Sequence, residues 1–502
     1  QFTLSDTTNQ KHEMFYRGKL YYMLTPSINI KLTHFFSNFD NGYDVWSVDN
    51  NEDYDTFSNT AGQDRQVTTA TSLKLSLDLL NTIGFKGYYQ YTTSDNSNTY
   101  SYDGDWGNNQ MWIDDYNYDP TEYGDYDFFD QTKRLRQADT HELRLNNDTS
   151  KQLSMVFGLY SSVINEHDIA EGYLFGGQAS NVDSRFNISN VAGYSEIRYK
   201  IRPNATILVN LRSELQNMSY NGDSFYYGDT LPYVGLHTEN AHFGGKIALI
   251  NNISSLLSRN ISLSRGFKAE GINQYPYLPE SNRLFDSESN INLESSYTYS
   301  SDNTFVDFNI FYMFRVNQQV HISGQSDPDI PTTFYYLTVN AENGYNAGSE
   351  ITLHTKINSN LSINGSLGLL ATHVDEFVFN NGEELIKMGN REQAMAPNYN
   401  YSIGLSYNHG SGIFSTFDYN GKSSYYYSDS HDQKSEAYAV CNLGLGYKQN
   451  RWSLTLWGKN ILDTRYPIRG FYFANEPPND VDKLYIQYGD PVHIGLTASY
   501  QF

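Results

Sequence analysis

The sequence predicts an all-β chain, a transmembrane antiparallel up-and-down β-barrel of about nineteen strands with tight turns at one rim and long loops at the other. Three observations carry this. Ile494, Leu496, Ala498, Tyr500 and Phe502 alternate with His493, Gly495, Thr497, Ser499 and Gln501, and the chain stops on the apolar face of a strand. That period of two marks a strand with one apolar and one polar face. An aromatic ending suits the interfacial girdle of a closed membrane barrel, where the last strand must find a partner. Second, charged residues repeatedly occupy the opposite strand face, so that face is wet, unlike the inner face of a β-sandwich. Third, short and long connections alternate along the chain.

The strands follow in order. Leu73, Leu75, Leu77 and Leu79 interleave with Lys74, Ser76 and Asp78, and after Asn81-Thr82 the run Ile83, Phe85, Gly87, Tyr89 and Tyr91 returns. Ile197, Tyr199 and Ile201 alternate with Glu196, Arg198 and Lys200; Pro203-Asn204 turns; Ile207, Val209 and Leu211 lead back with Asn210 and Arg212 between them. Val306, Phe308, Ile310, Tyr312 and Phe314 alternate with Asp307, Asn309 and Arg315, and Tyr401, Ile403, Leu405 and Tyr407 with Ser402, Gly404 and Ser406. Turn-forming pairs lie near Pro26-Ser27, Asn81-Thr82, Asn147-Asp148, Pro203-Asn204, Asn251-Asn252, Asp302-Asn303, Asn358-Ser359, His409-Gly410 and Gln449-Asn450. Such residue types close tight hairpins. Long connections are expected at about 92–132, 218–236, 318–335, 372–395 and 467–484. The tally is nine hairpins and a terminal strand. An odd tally in an even-stranded architecture suggests that the sequence starts part-way through a longer protein.

Composition narrows the class. The chain has 502 residues, with 44 Tyr, 37 Gly and only 13 Pro. Tyr suits strands and membrane interfaces, where one end of the ring is apolar and the other wet. No apolar run reaches the about 18 residues that a membrane helix needs, and a negative mean hydropathy is compatible with a barrel whose bore and loops are polar. A net charge of -23 argues against nucleic acid as a partner. Cys441 is alone, so there is no disulfide framework and no cysteine metal site. No internal repeat, His-Glu-x-x-His or Gly-x-Ser-x-Gly occurs, and nothing points to an enzyme or a cofactor.

Several segments resemble the barrel of TonB-dependent outer-membrane receptors. Ser264-Arg265-Gly266-Phe267-Lys268-Ala269-Glu270-Gly271-Ile272-Asn273 is similar to that family's "SRGFKAGGFN" stretch, and Phe311-Tyr312-Met313-Phe314-Arg315 with Gln318-Gln319-Val320 resembles a second motif. Gly348 and Glu350 match its Gly-x-Glu strand entry, and Lys459-Asn460-Ile461-Leu462-Asp463-Thr464-Arg465-Tyr466 is similar to "KNLFDxxY". The resemblance implies residues 1–502 as a barrel domain in the outer membrane of a Gram-negative bacterium, from a family whose barrels have about 22 strands and an upstream plug. It further implies lipid, a small-molecule ligand, the barrel-assembly machinery and, through a segment upstream of Gln1, the TonB protein as partners. Energy-coupled uptake of a scarce nutrient follows, such as an iron-siderophore, cobalamin or oligosaccharide. A passive porin and a soluble or surface β-rich binding protein are the alternatives.

The acidic, aromatic stretch 101–130 is the candidate ligand loop. Trp106, Trp112, Tyr116 and Tyr118 offer flat contact area, and Asp114 and Asp115 accept hydrogen bonds or attract a cation. Dense carboxylates make calcium conceivable, although the EF-hand spacing is absent. The bland reading of the same stretch is a solvated acidic loop. Lumen-side charges (Lys74, Asp78, Glu196, Arg198, Lys200, Arg212, Glu214, Asp307, Arg315) read most simply as a mutually neutralising wet wall.

Overall fold

A computed structural model describes residues 9–79, 84–106, 114, 119–123, 127–147, 152–174, 177–226, 228–274, 278–325, 334–380, 385–474 and 481–501. The chain runs up and down through β1 (Glu13–Thr25), β2 (Ile28–Gly42), β3 (Gln63–Leu79), β4 (Phe85–Asp103), β5 (Phe128–Asn147), β6 (Leu153–Leu174), β7 (Gly177–Arg202), β8 (Ala205–Tyr226), β9 (Asp229–Asn252) and β10 (Leu257–Lys268). The short β11 (Gly271–Ile272) and β12 (Leu284–Phe285) pair within a loop before β13 (Glu288–Ser300), β14 (Thr304–Gln325), β15 (Phe334–Lys356) and β16 (Leu361–Val374). A loop hairpin of β17 (Phe377–Asn380) and β18 (Leu385–Met388) precedes β19 (Tyr399–Asn408), β20 (Ile413–Lys422), β21 (Tyr438–Gln449) and β22 (Trp452–Lys459). A further loop hairpin, β23 (Pro467–Phe473) with β24 (Lys483–Tyr488), leads to β25 (His493–Tyr500).

Nineteen of these strands form one antiparallel sheet, each paired with its neighbours along the chain; β10 skips to β13, β16 to β19 and β22 to β25. The nineteen runs expected from the sequence are therefore found. Among the described residues β1 pairs only with β2 and β25 only with β22. The two ends are instead held together above the sheet, by a loop clasp described below.

The register keeps one apolar row outside. Leu32 of β2 faces Leu73 of β3, and Leu73 faces Tyr91 of β4. Leu73, Leu143, Leu159, Val191, Leu211, Leu293 and Ile310 are all exposed, as residues facing acyl chains must be in a protein viewed without lipid. The alternate residues face the bore and pair there. Lys86 meets Asp78 at 2.9 Å, Lys74 sits 3.4 Å from the centre of the Tyr88 ring, and Arg198 pairs with Glu196, Arg212 with Glu214. Arg134 reaches Asp168 (2.8 Å) across β5–β6, and Arg136 reaches Glu166 (2.6 Å). Closed pairs of this kind neutralise one another in a hydrated bore.

The strands are longer than the sequence suggested. Residues 92–103 and 128–132 continue β4 and β5, and 218–226 and 229–236 continue β8 and β9, where long loops were expected. Polar outward residues such as Asp95, Gln137 and Asn221 remove the alternation there, yet the backbone ladder needs only its neighbour, not an apolar row. The connection expected at 372–395 carries the β17–β18 hairpin, and that at 467–484 carries β23–β24. At the other rim the turns are tight: Gly412 has φ +96, a left-handed position that glycine adopts without strain, and an added Cβ would stand 2.2 Å from the Lys448 carbonyl oxygen.

Candidate functional site

The loops at the long-loop rim interlock across the mouth of the barrel. Residues 43–62, between β2 and β3, grip residues 463–490 near the far end of the chain. Asn50 donates to the Leu484 carbonyl and accepts from the Ile486 amide, both at 2.8 Å. The Tyr54 hydroxyl donates to Gly489 (2.7 Å), Arg465 donates to Glu52 (2.8 Å), and Lys483 donates to Val48 (2.7 Å). Gly62 lets the two ends of the 43–62 loop close on each other, because a Cβ there would stand 1.9 Å from the Tyr43 carbonyl oxygen.

Aromatic packing lies at the centre of this clasp. Trp46 stacks on Trp106 (5.5 Å between ring centres, 16° between planes), Phe471 tilts against Trp46 at 4.8 Å, and Tyr485 meets Trp106 edge-on at 4.9 Å. Tyr485 is fully buried. Offset and edge-on pairs of this type add to the burial of their own area. The hairpin β23–β24 then crosses the mouth, with Phe471 near Tyr336 of β15 and Tyr472 against His431.

Two further clusters complete the cap. Leu278, Val320, Ile322, Tyr335, Leu337, Phe377 and Phe379 pack the β17–β18 hairpin onto the upper ends of β14 and β15. Ile272 of the 269–287 loop packs onto Phe186, Met218, Tyr220 and Val234. That loop is pinned by Asn273, which exchanges two 2.8 Å hydrogen bonds with the backbone of Thr338. Arg391 gathers the 423–437 loop, donating to His431 (2.7 Å), Asp432 (2.6 Å) and Ser428 (2.5 Å), with Tyr426 under its guanidinium at 4.3 Å. Burial and Arg391 together push His431 down to about 4, so its ring is neutral at pH 7.

Beside the aromatic clasp sits an acidic group. Asp103 and Asp105 are buried, and carboxylate oxygens of Asp103, Asp105 and Asp127 lie within 4.8 Å of one another. Asp103 accepts the amides of Asp105, Trp106 and Asn59 (3.1, 3.1 and 2.9 Å), and Asp105 accepts that of Phe128 (2.9 Å). These amides tie the 43–62 loop to the top of β4 and β5. Oxygen-only donors at this spacing have the chemistry of a hard divalent cation site. Nearby, burial and the Asp103 charge push Asp44 up to about 6, against bonds from Ser58 and Gly62 that pull it down. The folded cap therefore holds a proton on Asp44 more tightly than the unfolded loop does. Its contribution to cap stability is complete below about pH 4 and is lost as pH rises through about 6. Asp44→Asn is expected to remove that dependence, with hydrogen exchange of the 43–62 amides slower than wild type at pH 7 and equal to it at pH 4.

The residues expected from the sequence fall in different places. Trp106 is 6% exposed, so its ring is taken up by the clasp. Asp114 is exposed, whereas Trp112, Asp115, Tyr116 and Tyr118 lie outside the described residues. Asn460 and Asp463 anchor the loop that leads into β23. Buried Asn460 exchanges bonds with Thr464 and donates to Asp490 (3.0 Å), and Asp463 accepts from Arg465 (2.6 Å) and the Val492 amide (3.0 Å). Gly348 admits the Phe311 ring, 2.8 Å from where a Cβ would stand, and Glu350 lies opposite Asn309. Arg265, Gly266, Phe267 and Lys268 end β10, with Arg265 donating to the Phe243 carbonyl. Ile494, Leu496 and Tyr500 form an exposed apolar row on β25, and Phe502 lies outside the described residues. Sequence reading missed Trp46, Arg391, Phe471 and Tyr485; aromatic density was the only local signal for the three rings, and Arg391 had none.

Residues 14–461 match the model of a family described as TonB dependent receptor-like, beta-barrel. Solved structures with a similar fold include the ferric yersiniabactin uptake receptor FyuA of Yersinia pestis (TM-score 0.79, 13% identity, 98% of this chain and 71% of that one). The siderophore receptor PiuA of Acinetobacter baumannii aligns with TM-score 0.73 at 13% identity over 98% of this chain and 74% of its own. The ferric-catecholate import receptor Fiu of E. coli K12 aligns with TM-score 0.70 at 11% identity over 99% and 76%.

Proposed function

Because the chain belongs to the TonB-dependent receptor-like β-barrel family, a family of receptors and transporters rather than enzymes, we propose that it captures a ferric chelate at the cell surface for energy-coupled import. The barrel lies in the outer membrane of a Gram-negative cell and serves TonB-dependent uptake of a small molecule. On this proposal the ligand is a ferric chelate, TonB itself supplies the energy, and the barrel-assembly machinery is the partner in folding. The observation that supports a gated receptor over an open pore is the cap, in which the clasp, the 269–287 loop and the β17–β18 and β23–β24 hairpins interlock over the mouth. The ferric ligand class is drawn from FyuA, a ferric yersiniabactin receptor, and Fiu, a ferric-catecholate receptor, with PiuA a siderophore receptor; the likeness of all three to this chain is one of fold.

Uptake of radiolabelled ferric chelates by iron-starved cells making the complete protein tests this. Uptake is expected to saturate and to cease when a protonophore collapses the proton gradient. Unsaturable uptake that persists without the gradient would overturn the gated reading in favour of a passive pore. Saturable uptake of cobalamin or an oligosaccharide, with none of any ferric chelate, would overturn the ligand class alone.

A further inference from the structure

Where the 269–287 loop leaves β10, Glu270 turns back against His242 of β9. Both are buried, at 9% and 6% exposure. His242 Nε2 lies 3.3 Å from Glu270 Oε2, within ion-pair distance, yet the two are not aligned as a hydrogen bond. Nε2 and both carboxylate oxygens have no hydrogen-bond partner in the structure. A buried carboxylate with neither oxygen hydrogen-bonded is costly unless something positive meets it.

We propose that His242 and Glu270 form a binding site for a borderline first-row divalent cation, with Zn²⁺ as its simplest occupant. The separation of the donor atoms supports this. Two ligands of a tetrahedral ion, with bonds of about 2.0–2.1 Å, stand about 3.3–3.4 Å apart. An imidazole nitrogen with a carboxylate selects zinc or copper over calcium or magnesium, which prefer oxygen alone. The imidazole is fixed from the side by Phe267, whose ring stacks on it at 4.8 Å and 14°. Glu214, directly across from His242 on β8, is engaged with Arg212 and so leaves the site to the other two. Phe267, the ring that stacks on His242, also lines a neighbouring cavity of about 620 Å³ together with Gly244 and Gly266. The chain supplies two donors, and water or a bound molecule completes the shell. With the ion in place the 269–287 loop is tied to the β9 wall.

The site is separate from the uptake reading and does not rest on it. Its test uses the complete protein in detergent, stripped with a chelator and titrated with Zn²⁺ alone. The wild type is expected to take up an ion whose X-ray absorption fits one imidazole nitrogen among oxygen donors, a measurement that needs no variant. His242→Gln and Glu270→Gln are each expected to weaken that binding by about tenfold or more, since even the loss of an outer-shell partner costs a metal site about that much. Asp302→Asn, in an exposed tight turn at the opposite rim, is expected to leave it unchanged. An oxygen-only shell in the wild type, no zinc uptake, or equal binding by folded His242→Gln and Glu270→Gln would overturn the proposal and leave a simple His–Glu ion pair.

Discussion

Leu293→Arg is expected to destabilise the barrel by about 2–4 kcal/mol, the cost of a charge on the lipid face near the middle of a membrane strand. The same substitution one residue earlier, Asn292→Arg, is expected to cost about 1 kcal/mol or less, because a bore-facing guanidinium meets water and carboxylates. The contrast follows from register. Leu293 lies opposite Leu263 and Tyr312, all three exposed on the outer face, whereas Asn292 lies opposite Ser264 and Met313 and donates toward Glu294. Denaturant titration of both variants in lipid vesicles measures the difference. Equal costs, or a larger one for Asn292→Arg, would mean that the two faces of the sheet have been assigned the wrong way round.

The second large effect belongs to the mouth. Trp46→Ala removes an indole that is 5% exposed and packed on Trp106 and Phe471, and such truncations cost about 3–5 kcal/mol. Here the loss falls on the cap rather than on the membrane strands. The 43–62 loop is connected to the wall by β2 and β3, and its grip on 463–490 depends on the Trp46 cluster and the Asn50, Tyr54 and Arg465 hydrogen bonds. Faster hydrogen exchange at Ile486 and across 43–62, with β13–β15 unchanged, is the expected outcome. Exchange that accelerates throughout the sheet would show that the clasp and the wall unfold as one unit. Weakened capture of a ferric chelate should accompany the local change, since the aromatic clasp shapes the entrance.

The strand wall was legible because each strand's burial is set by residues two apart along the chain. Leu73, Leu75 and Leu77 declare an outer face without reference to any distant residue. Charges such as Glu196 and Arg198 marked the other face, and the structure pairs them. Strand ends were less legible: beyond the lipid band Asp95, Gln137 and Asn221 no longer alternate with apolar residues, although β4, β5 and β8 continue. Trp106 could be singled out as aromatic and loop-borne, but its burial depends on Tyr485, hundreds of residues away.

The amino-acid order alone determined the strand count, the antiparallel up-and-down class and the direction of the apolar face. It could do so because hydrophobic alternation and turn chemistry are short-range properties read within a dozen residues. Tertiary structure decided everything at the mouth: Trp46 against Trp106 and Phe471, Asn50 against Leu484, and His242 beside Glu270. Those partners lie far apart in the chain and no local period announces their contact, so they meet only where the curled sheet brings their segments together. The same holds for the union of the two sheet ends: among the described residues no ladder joins β1 to β25, and the clasp between residues 43–62 and 463–490 links the loops beside them.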